Sequence, residues 1–281
     1  MTLSQSDFAF VSALVRREAS IVLAPGKEYL VEARLIPVAR QVGAASVAEF
    51  LANLQRRPNP ADQRRIVDAL TTNETSWFRD REPFTALTDV VLPELVKSRA
   101  GNRKIRLWSA ASSSGQEAYS LAITLQEHLP AGWGYEILGS DISTEMVKRA
   151  EAAEYSQVEV NRGLPAAQLV QYFERTGAHW RVTPGLRRNV SFRLMNLTAP
   201  LPTMPPFDVI FLRNVLIYFD VATKKSVLRN VARLLRPDGW LFLGAAETTI
   251  GIDENYERVA AGRTSAYRVR SAVPAGAVKR G

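Results

Sequence analysis

The stretch WSAASSSGQEAYSLAI, residues 108–123, constrains the fold more than any other part of this chain. Ile105, Leu107 and Trp108 form a short apolar run, and Tyr119, Leu121, Ile123 and Leu125 keep the following segment apolar on one side. Between them lie Ala110, Ala111, Ser112 and Gly115, small enough to let a ligand approach the backbone at a helix N-terminus, where N–H groups lack partners. The turn lacks a full G-x-G-x-x-G, which weakens a dinucleotide reading, and neither GKS nor GKT occurs, which removes the P-loop reading. A nucleoside cofactor without an extended phosphate chain remains. The run YEILGSDIS then places Asp141 just past a second apolar strand, where an acid can grip a ribose diol. Alone, residues 112–115 also fit an ordinary strand-to-helix turn. Asp141 at this spacing favours a ribose site.

From about Asn102 the pattern alternates in the α/β manner. It predicts strand 104–110, helix 116–128, strand 135–140, helix 143–153, strand 190–195 and a strongly buried strand at 207–213. Helix 222–235 ends at RPDG, strand 240–244 follows, and a last strand lies near 264–270. Such alternation implies a mainly parallel, doubly wound sheet with right-handed crossovers. Upstream, residues 1–70 read as short amphipathic helices: Phe8, Val11, Leu14 and Val15 share one face, and Val47, Phe50, Leu51 and Leu54 another. After the turn-rich RRPNPADQ, Pro60 and Asp62 open a helix carrying Ile66, Val67 and Leu70. Segment 156–190 is too long for a plain crossover, and a Pro-Gly turn at 184–185 separates two candidate strands, so we expect a small antiparallel insertion. A helix with an irregular loop is the alternative. The expected division is a helical N-terminal domain over 1–75, a linker helix over 76–100, an α/β domain over 101–270 with its insertion at about 156–190, and a disordered tail over 271–281.

Composition narrows the chemistry. The chain has no cysteine, which excludes disulfides and thiolate catalysis, and only His128 and His179 offer imidazole, so no metal site is expected. No stretch approaches the roughly 20 apolar residues of a membrane span, and MTLSQSDFAF lacks a secretory signal's basic and apolar regions. A cytoplasmic protein without membrane insertion is expected. The net charge of +8 suits an acidic partner, either nucleic acid or an acidic protein surface, although solubility alone also accounts for it. Arginines outnumber acids in segment 156–193, which therefore resembles a docking surface.

Two further motifs bear on function. TTNETSWFRD, residues 71–80, sits at the junction of the two regions, and alone it reads as a helix N-cap with Thr72 or Asn73 as the cap. FDVIFLRNVLIYFD, residues 207–220, sends a buried strand out to Arg213, Asn214 and Tyr218, at the end of the sheet where ligands bind in open α/β folds. A solvated strand end is the alternative.

In this order, TTNETSWFR, A-x-S-x-S-G-Q-E-x-Y-S, G-S-D-I-S and F-D-V-I-F-x-R-N-V-L-I-Y-F closely resemble the CheR-type chemotaxis receptor methyltransferases, over about residues 5–270. The resemblance implies an all-helical N-terminal domain and a seven-stranded, doubly wound class I methyltransferase domain that uses S-adenosylmethionine and carries an inserted β-subdomain. It implies O-methylation of receptor glutamates, with the chemoreceptor cytoplasmic helical bundle as partner. Carried over by residue, it places Asn73, Thr75 and Arg79 in the wall of the cofactor and active site, Glu117 on the methionine amino group, Asp141 on the ribose, and Asn196 with Leu197 on the adenine. Arg213 and Asn214 complete the pocket, and Tyr218 lies near the methyl group. Gln116-Glu117-Ala118 departs from the family's acidic pair plus proline, and Ser76-Trp77 replaces a more regular aromatic pair.

The chemistry is consistent with a site lacking His and Cys. A glutamate carboxylate, of ordinary pKa about 4.3, is already ionised at neutral pH and needs no general base. The protein must align the reactants and hold them together. Arg79 can grip one carboxylate oxygen and leave the other to react. A nucleic-acid methyltransferase is one alternative, but it would carry a D/N-P-P-Y/F motif where this chain has RNVLIYF, so no nucleic-acid partner is expected. A non-catalytic cofactor sensor is the other. The segment from Thr176 through Trp180 to Asn189 is short beside the glycine-bearing loop of members that bind a receptor C-terminal peptide. A monomer independent of that tether is therefore expected.

Overall fold

A computed structural model describes residues 3–270. The tail expected to be disordered, 271–281, lies outside them. Four helices come first: α1 (Gln5–Ala19), α2 (Glu28–Gln41), α3 (Val47–Arg56) and α4 (Pro60–Leu70). Ser4, Ser46 and Asn59 each accept a backbone N–H at a helix start, and Pro60 occupies the first turn of α4, where its missing N–H costs nothing. The faces read from the sequence are the buried ones: Val11, Leu14 and Val15 of α1, Phe50, Leu51 and Leu54 of α3, and Ile66, Val67 and Leu70 of α4.

The connecting helix starts later than expected. Residues 77–81 form a turn in which Phe78, Asp80 and Arg81 have positive φ, so helical geometry begins only at α5 (Glu82–Ala86) and continues through a π-helical turn (Leu87–Val91) into α6 (Leu92–Ser98).

The α/β domain then runs β1 (Lys104–Ala110), α7 (Gln116–His128), β2 (Gly134–Asp141), α8 (Thr144–Ala152), β3 (Glu154–Ser156), α9 (Gln157–Val160), α10 (Ala166–Tyr172), β4 (Phe173–Thr176), β5 (His179–Val182), α11 (Pro184–Arg187) and β6 (Val190–Leu194). It ends with β7 (Phe207–Leu212), a 3-10 turn (Leu216–Tyr218), α12 (Val221–Leu234), β8 (Leu235–Leu243), β9 (Tyr256–Ala261) and β10 (Thr264–Val269). The main sheet has seven strands in the order β6-β2-β1-β7-β8-β10-β9, parallel except where β10 pairs antiparallel with β8 and β9. Alternate residues feed opposite faces, as strand geometry requires. Trp108, Ile210 and Leu241 pack on the side that carries the N-terminal helices and α12, whereas Leu107, Phe211 and Phe242 pack on the side of α5 to α7. Both faces are covered, the usual condition for a parallel sheet.

The insertion is a second antiparallel sheet of order β3-β5-β4. Its hairpin turns at Gly177 and Ala178, between β4 and β5, and not at Pro184–Gly185 as the sequence suggested. Pro184 instead opens α11, because its fixed φ suits a first helical turn, and the two candidate strands flanking it belong to different sheets. Strand β9 escaped the sequence pattern, although Gly262, with φ of 60°, marks a two-residue turn between Ala261 and Thr264.

Candidate active site

The strand order reverses between β1 and β7, and the crevice there is bounded by the carboxyl ends of β1, β2 and β7. All ten residues expected at the site line one cavity of about 940 Å³, counting its open mouth: Asn73, Thr75, Arg79, Glu117, Asp141, Asn196, Leu197, Arg213, Asn214 and Tyr218. Ala19 and Ile21 add a wall from the helical domain that the sequence did not suggest.

The turn after β1 is held in left-handed backbone, with φ of 61° at Ala111, 50° at Ser113 and 95° at Gly115. A side chain at Gly115 would stand 3.0–3.1 Å from Ala150, Phe192 and Tyr155, so the close packing adds to the preference for glycine that its φ of 95° sets. Two backbone N–H groups orient Asp141: Ser113 donates to Oδ2 at 2.8 Å and Ser143 to Oδ1 at 2.9 Å. Burial raises the pKa of this carboxyl, these N–H bonds oppose the rise, and the nearby charge of Asp68 adds to it. The Ser113 hydroxyl bonds the Asn73 carbonyl at 2.8 Å, tying the turn to segment 71–76. Thr72 and Asn73 cap no helix; that segment is irregular and lines the cavity.

Glu117, in the first turn of α7, accepts from the Ser109 hydroxyl at 2.8 Å and from Arg213 Nη1 at 2.9 Å. Arg213, at the end of β7, also donates through Nη2 to the Arg79 carbonyl at 2.9 Å and to Asp80 at 2.5 Å. Its side chain is 1% exposed, so the pair with Glu117 is buried while the Asp80 partner reaches the surface at 41% exposure, and together they tie two walls of the cavity. The sequence reading gave no role to Ser109 and Asp80, although both lie inside motifs it singled out, because their partners are distant in the chain.

Arg79 is half-buried and spends one donor on the Glu74 carbonyl at 3.0 Å. Its turn is anchored from behind. Trp77 is buried edge-on against Tyr155 and Phe173, its backbone N–H donates to the Arg162 carbonyl at 3.0 Å, and the Phe78 backbone N–H donates to Ser120 Oγ at 3.0 Å. The inserted sheet therefore braces the segment that carries Arg79. The Asn196 side chain is already committed, donating to the Glu18 carbonyl at 2.8 Å and accepting from Thr198 through both N–H and hydroxyl. Leu197 beside it is buried. Tyr218 is half-buried at the end of the 3-10 turn, and its carbonyl accepts the Val22 N–H at 3.2 Å.

The lining suits a nucleoside cofactor that bears positive charge and no phosphates. Glu117 and Asp141 offer carboxylate oxygens to an ammonium group and a diol, and would repel phosphate. Ser112 Oγ, also in the lining, is buried without a hydrogen-bond partner. Fold and crevice thus define a doubly wound α/β protein with a site suited to a nucleoside cofactor.

Comparison with known proteins gives the family. Residues 73–264 match the model described as CheR methyltransferase, SAM binding domain, and residues 6–71 match CheR methyltransferase, all-alpha domain. The chain belongs to the CheR methyltransferase family and is an S-adenosylmethionine-dependent methyltransferase. It is similar to chemotaxis protein methyltransferase 1 of Pseudomonas aeruginosa, with 38% identity over 96% of this chain and 100% of that protein. Chemotaxis protein methyltransferases of Vibrio parahaemolyticus (38% identity, 96% of this chain, 99% of the relative) and of Escherichia coli K12 (36%, 91% and 89%) are similar as well.

Proposed function

We propose that this protein transfers a methyl group from S-adenosylmethionine to glutamate side-chain carboxylates of chemoreceptor cytoplasmic domains, as part of sensory adaptation. The observation that carries the reading is that Arg79 and Tyr218 line the same cavity as Glu117 and Asp141, so a carboxylate-gripping group and a cofactor wall share one space. The names of the similar proteins support the chemotaxis setting. In this reading Glu117 holds the methionine amino group, Asp141 the ribose hydroxyls, Leu197 and the backbone of Asn196 the adenine, and Asn73, Thr75, Arg213 and Asn214 the remaining walls. S-adenosylmethionine, when bound, supplies a methyl on a positively charged sulfur, whose carbon–sulfur bond breaks as a carboxylate oxygen bonds the carbon. No proton has to move, because the receptor glutamate is already ionised at neutral pH. Arg79 orients that carboxylate through its free N–H donors, and the Tyr218 hydroxyl steers the carboxylate or the methyl group. No metal takes part.

The same reading divides the chain into a helical domain over 1–75, a linker over 76–100 and a catalytic domain over 101–270. It takes the protein as a cytoplasmic monomer that acts on the receptor bundle without a nucleic-acid partner. It also takes recognition as independent of a receptor C-terminal peptide, which the two-residue connection between β4 and β5 supports. Incubation with labelled S-adenosylmethionine and isolated receptor signalling domains tests the proposal: base-labile methyl esters on receptor glutamates are expected, and label on nucleic acid instead would overturn it. Titration with the receptor C-terminal peptide tests the tether, and micromolar binding through residues 156–193 would remove that part.

A further inference from the structure

Glu247 lies past the end of β8 and takes no place in the scheme above. Its carboxylate accepts four backbone N–H groups. Oε2 receives Gly244 at 2.7 Å and Asn214 at 2.8 Å, and Oε1 receives Val215 at 2.9 Å and Ile217 at 3.3 Å. Three of these donors belong to the segment after β7 that carries five cavity residues, Arg213, Asn214, Val215, Tyr218 and Phe219. Asn214 in that segment sits at φ 58°, a left-handed conformation that asparagine tolerates better than most residues, and the bonds to Glu247 fix the chain on either side of it. The backbone around the carboxylate also leaves no spare room: a Cβ at Gly244 would meet Glu247 Oε2 at 2.7 Å, Asn214 Nδ2 at 2.8 Å and the Asn214 backbone N at 2.9 Å.

We infer that Glu247 is a positioning residue for methyl transfer, a clamp that ties the loop after β7 to the end of β8 and so sets Asn214 and Tyr218 against the cavity. A carboxylate is the group this cradle requires. Each oxygen faces two N–H donors, so an amide in its place would turn its own donors toward N–H groups at one of the two positions. The inference rests on the proposed function only where it concerns turnover; the clamp itself can be read without activity.

The test is Glu247→Gln in the full chain, which keeps the side chain's volume and removes one acceptor. Amide hydrogen exchange over residues 213–219 should quicken at least tenfold. Turnover on receptor domains should fall about tenfold or more, while affinity for S-adenosylhomocysteine shifts less. Adding Tyr218→Phe to Glu247→Gln should cost little further, because both changes act through the same side chain. Unchanged exchange, faster exchange with wild-type turnover, or full additivity with Tyr218→Phe would each overturn the inference. If Glu247→Gln does not fold, Glu247→Asp decides the matter, since it keeps the charge but draws the carboxylate back from the four N–H groups and should bring the same losses. A wild-type protein that methylates no receptor but shows the exchange contrast would sink the proposed function and leave the clamp standing.

Discussion

The floor of the cavity and its mouth are built differently. On the floor, Asp141 is 5% exposed and the Arg213 side chain 1%, and each is bonded to other parts of the protein. At the mouth, Arg79 and Tyr218 are half-buried, and the Arg79 side chain bonds only the Glu74 carbonyl among the described residues. The floor stands on the ends of β1, β2 and β7, whereas the mouth stands on connecting segments around 71–81 and 214–220. A small cofactor of fixed shape is best met by groups locked in advance, because little freedom is then lost on binding. A protein substrate is better met by side chains that can still turn on an anchored backbone, as Arg79 and Tyr218 can.

The sharpest way to break this contrast is to unlock the floor. Arg213→Met would leave the largely buried Glu117 without its cation, and severing a buried pair costs about 3–5 kcal/mol, whereas Asp80, 41% exposed, would turn to water. Urea unfolding should show that loss, while Arg79→Ala should change stability by under about 1 kcal/mol. Equal stability for Arg213→Met and wild type would mean the ion pair does not hold the walls.

Next comes the mouth. Arg79→Ala should lower turnover on receptor domains by about a hundredfold and leave the Kd for S-adenosylhomocysteine within about threefold. Parallel losses in both quantities would move Arg79 to the cofactor wall.

Asp141→Ala should show the reverse pattern, with affinity for S-adenosylhomocysteine reduced at least tenfold, equivalent to about 1.4 kcal/mol. Calorimetry returning the wild-type Kd would remove Asp141 from the ribose. Titration should sharpen the point. Burial raises this carboxyl above the ordinary 3.8, and the ionised form is the proposed acceptor, so affinity should fall as pH drops through the raised value. Stability has the opposite sign, because the native state holds the proton more tightly than the unfolded chain. Asp141 should therefore add to stability as pH falls from the raised value toward 3.8, and Asp141→Asn should flatten both profiles. The smallest effect is expected for Tyr218→Phe, a few-fold loss in turnover at constant Kd, and full activity would take its hydroxyl out of the mechanism.

The locked floor was also the more legible part. Strand 104–110 and helix 116–128 coincide with β1 and α7, because an apolar run, a small-residue turn and an apolar helix face all point the same way. Asp141 announced itself as an acid just past a strand. Glu247 carries the same signal after β8, but no pattern marks which distant N–H groups a carboxylate will meet. Pro184–Gly185 misled because the dipeptide suits both a hairpin turn and a helix start, and the choice depended on which strands found partners. The turn at 77–81 was hidden for a related reason. Its positive φ values at Phe78, Asp80 and Arg81 go against local preference and are held by contacts from the inserted sheet and from Arg213.

The sequence by itself determined the α/β alternation, the helical character of the N-terminal region, the small-residue turn and the acid after the second strand. Each depends on periodicity or chemistry within a short window, where backbone geometry leaves few choices. Its ordered motifs also pointed to the family. Only the tertiary structure decided that Glu117 meets Arg213 across 96 residues, that Arg213 reaches back 133 residues to Asp80, and that Ala19 and Ile21 of the helical domain wall the cavity. Contacts between distant segments form when the whole chain buries its apolar faces and satisfies its buried polar groups together, and no local stretch carries that information.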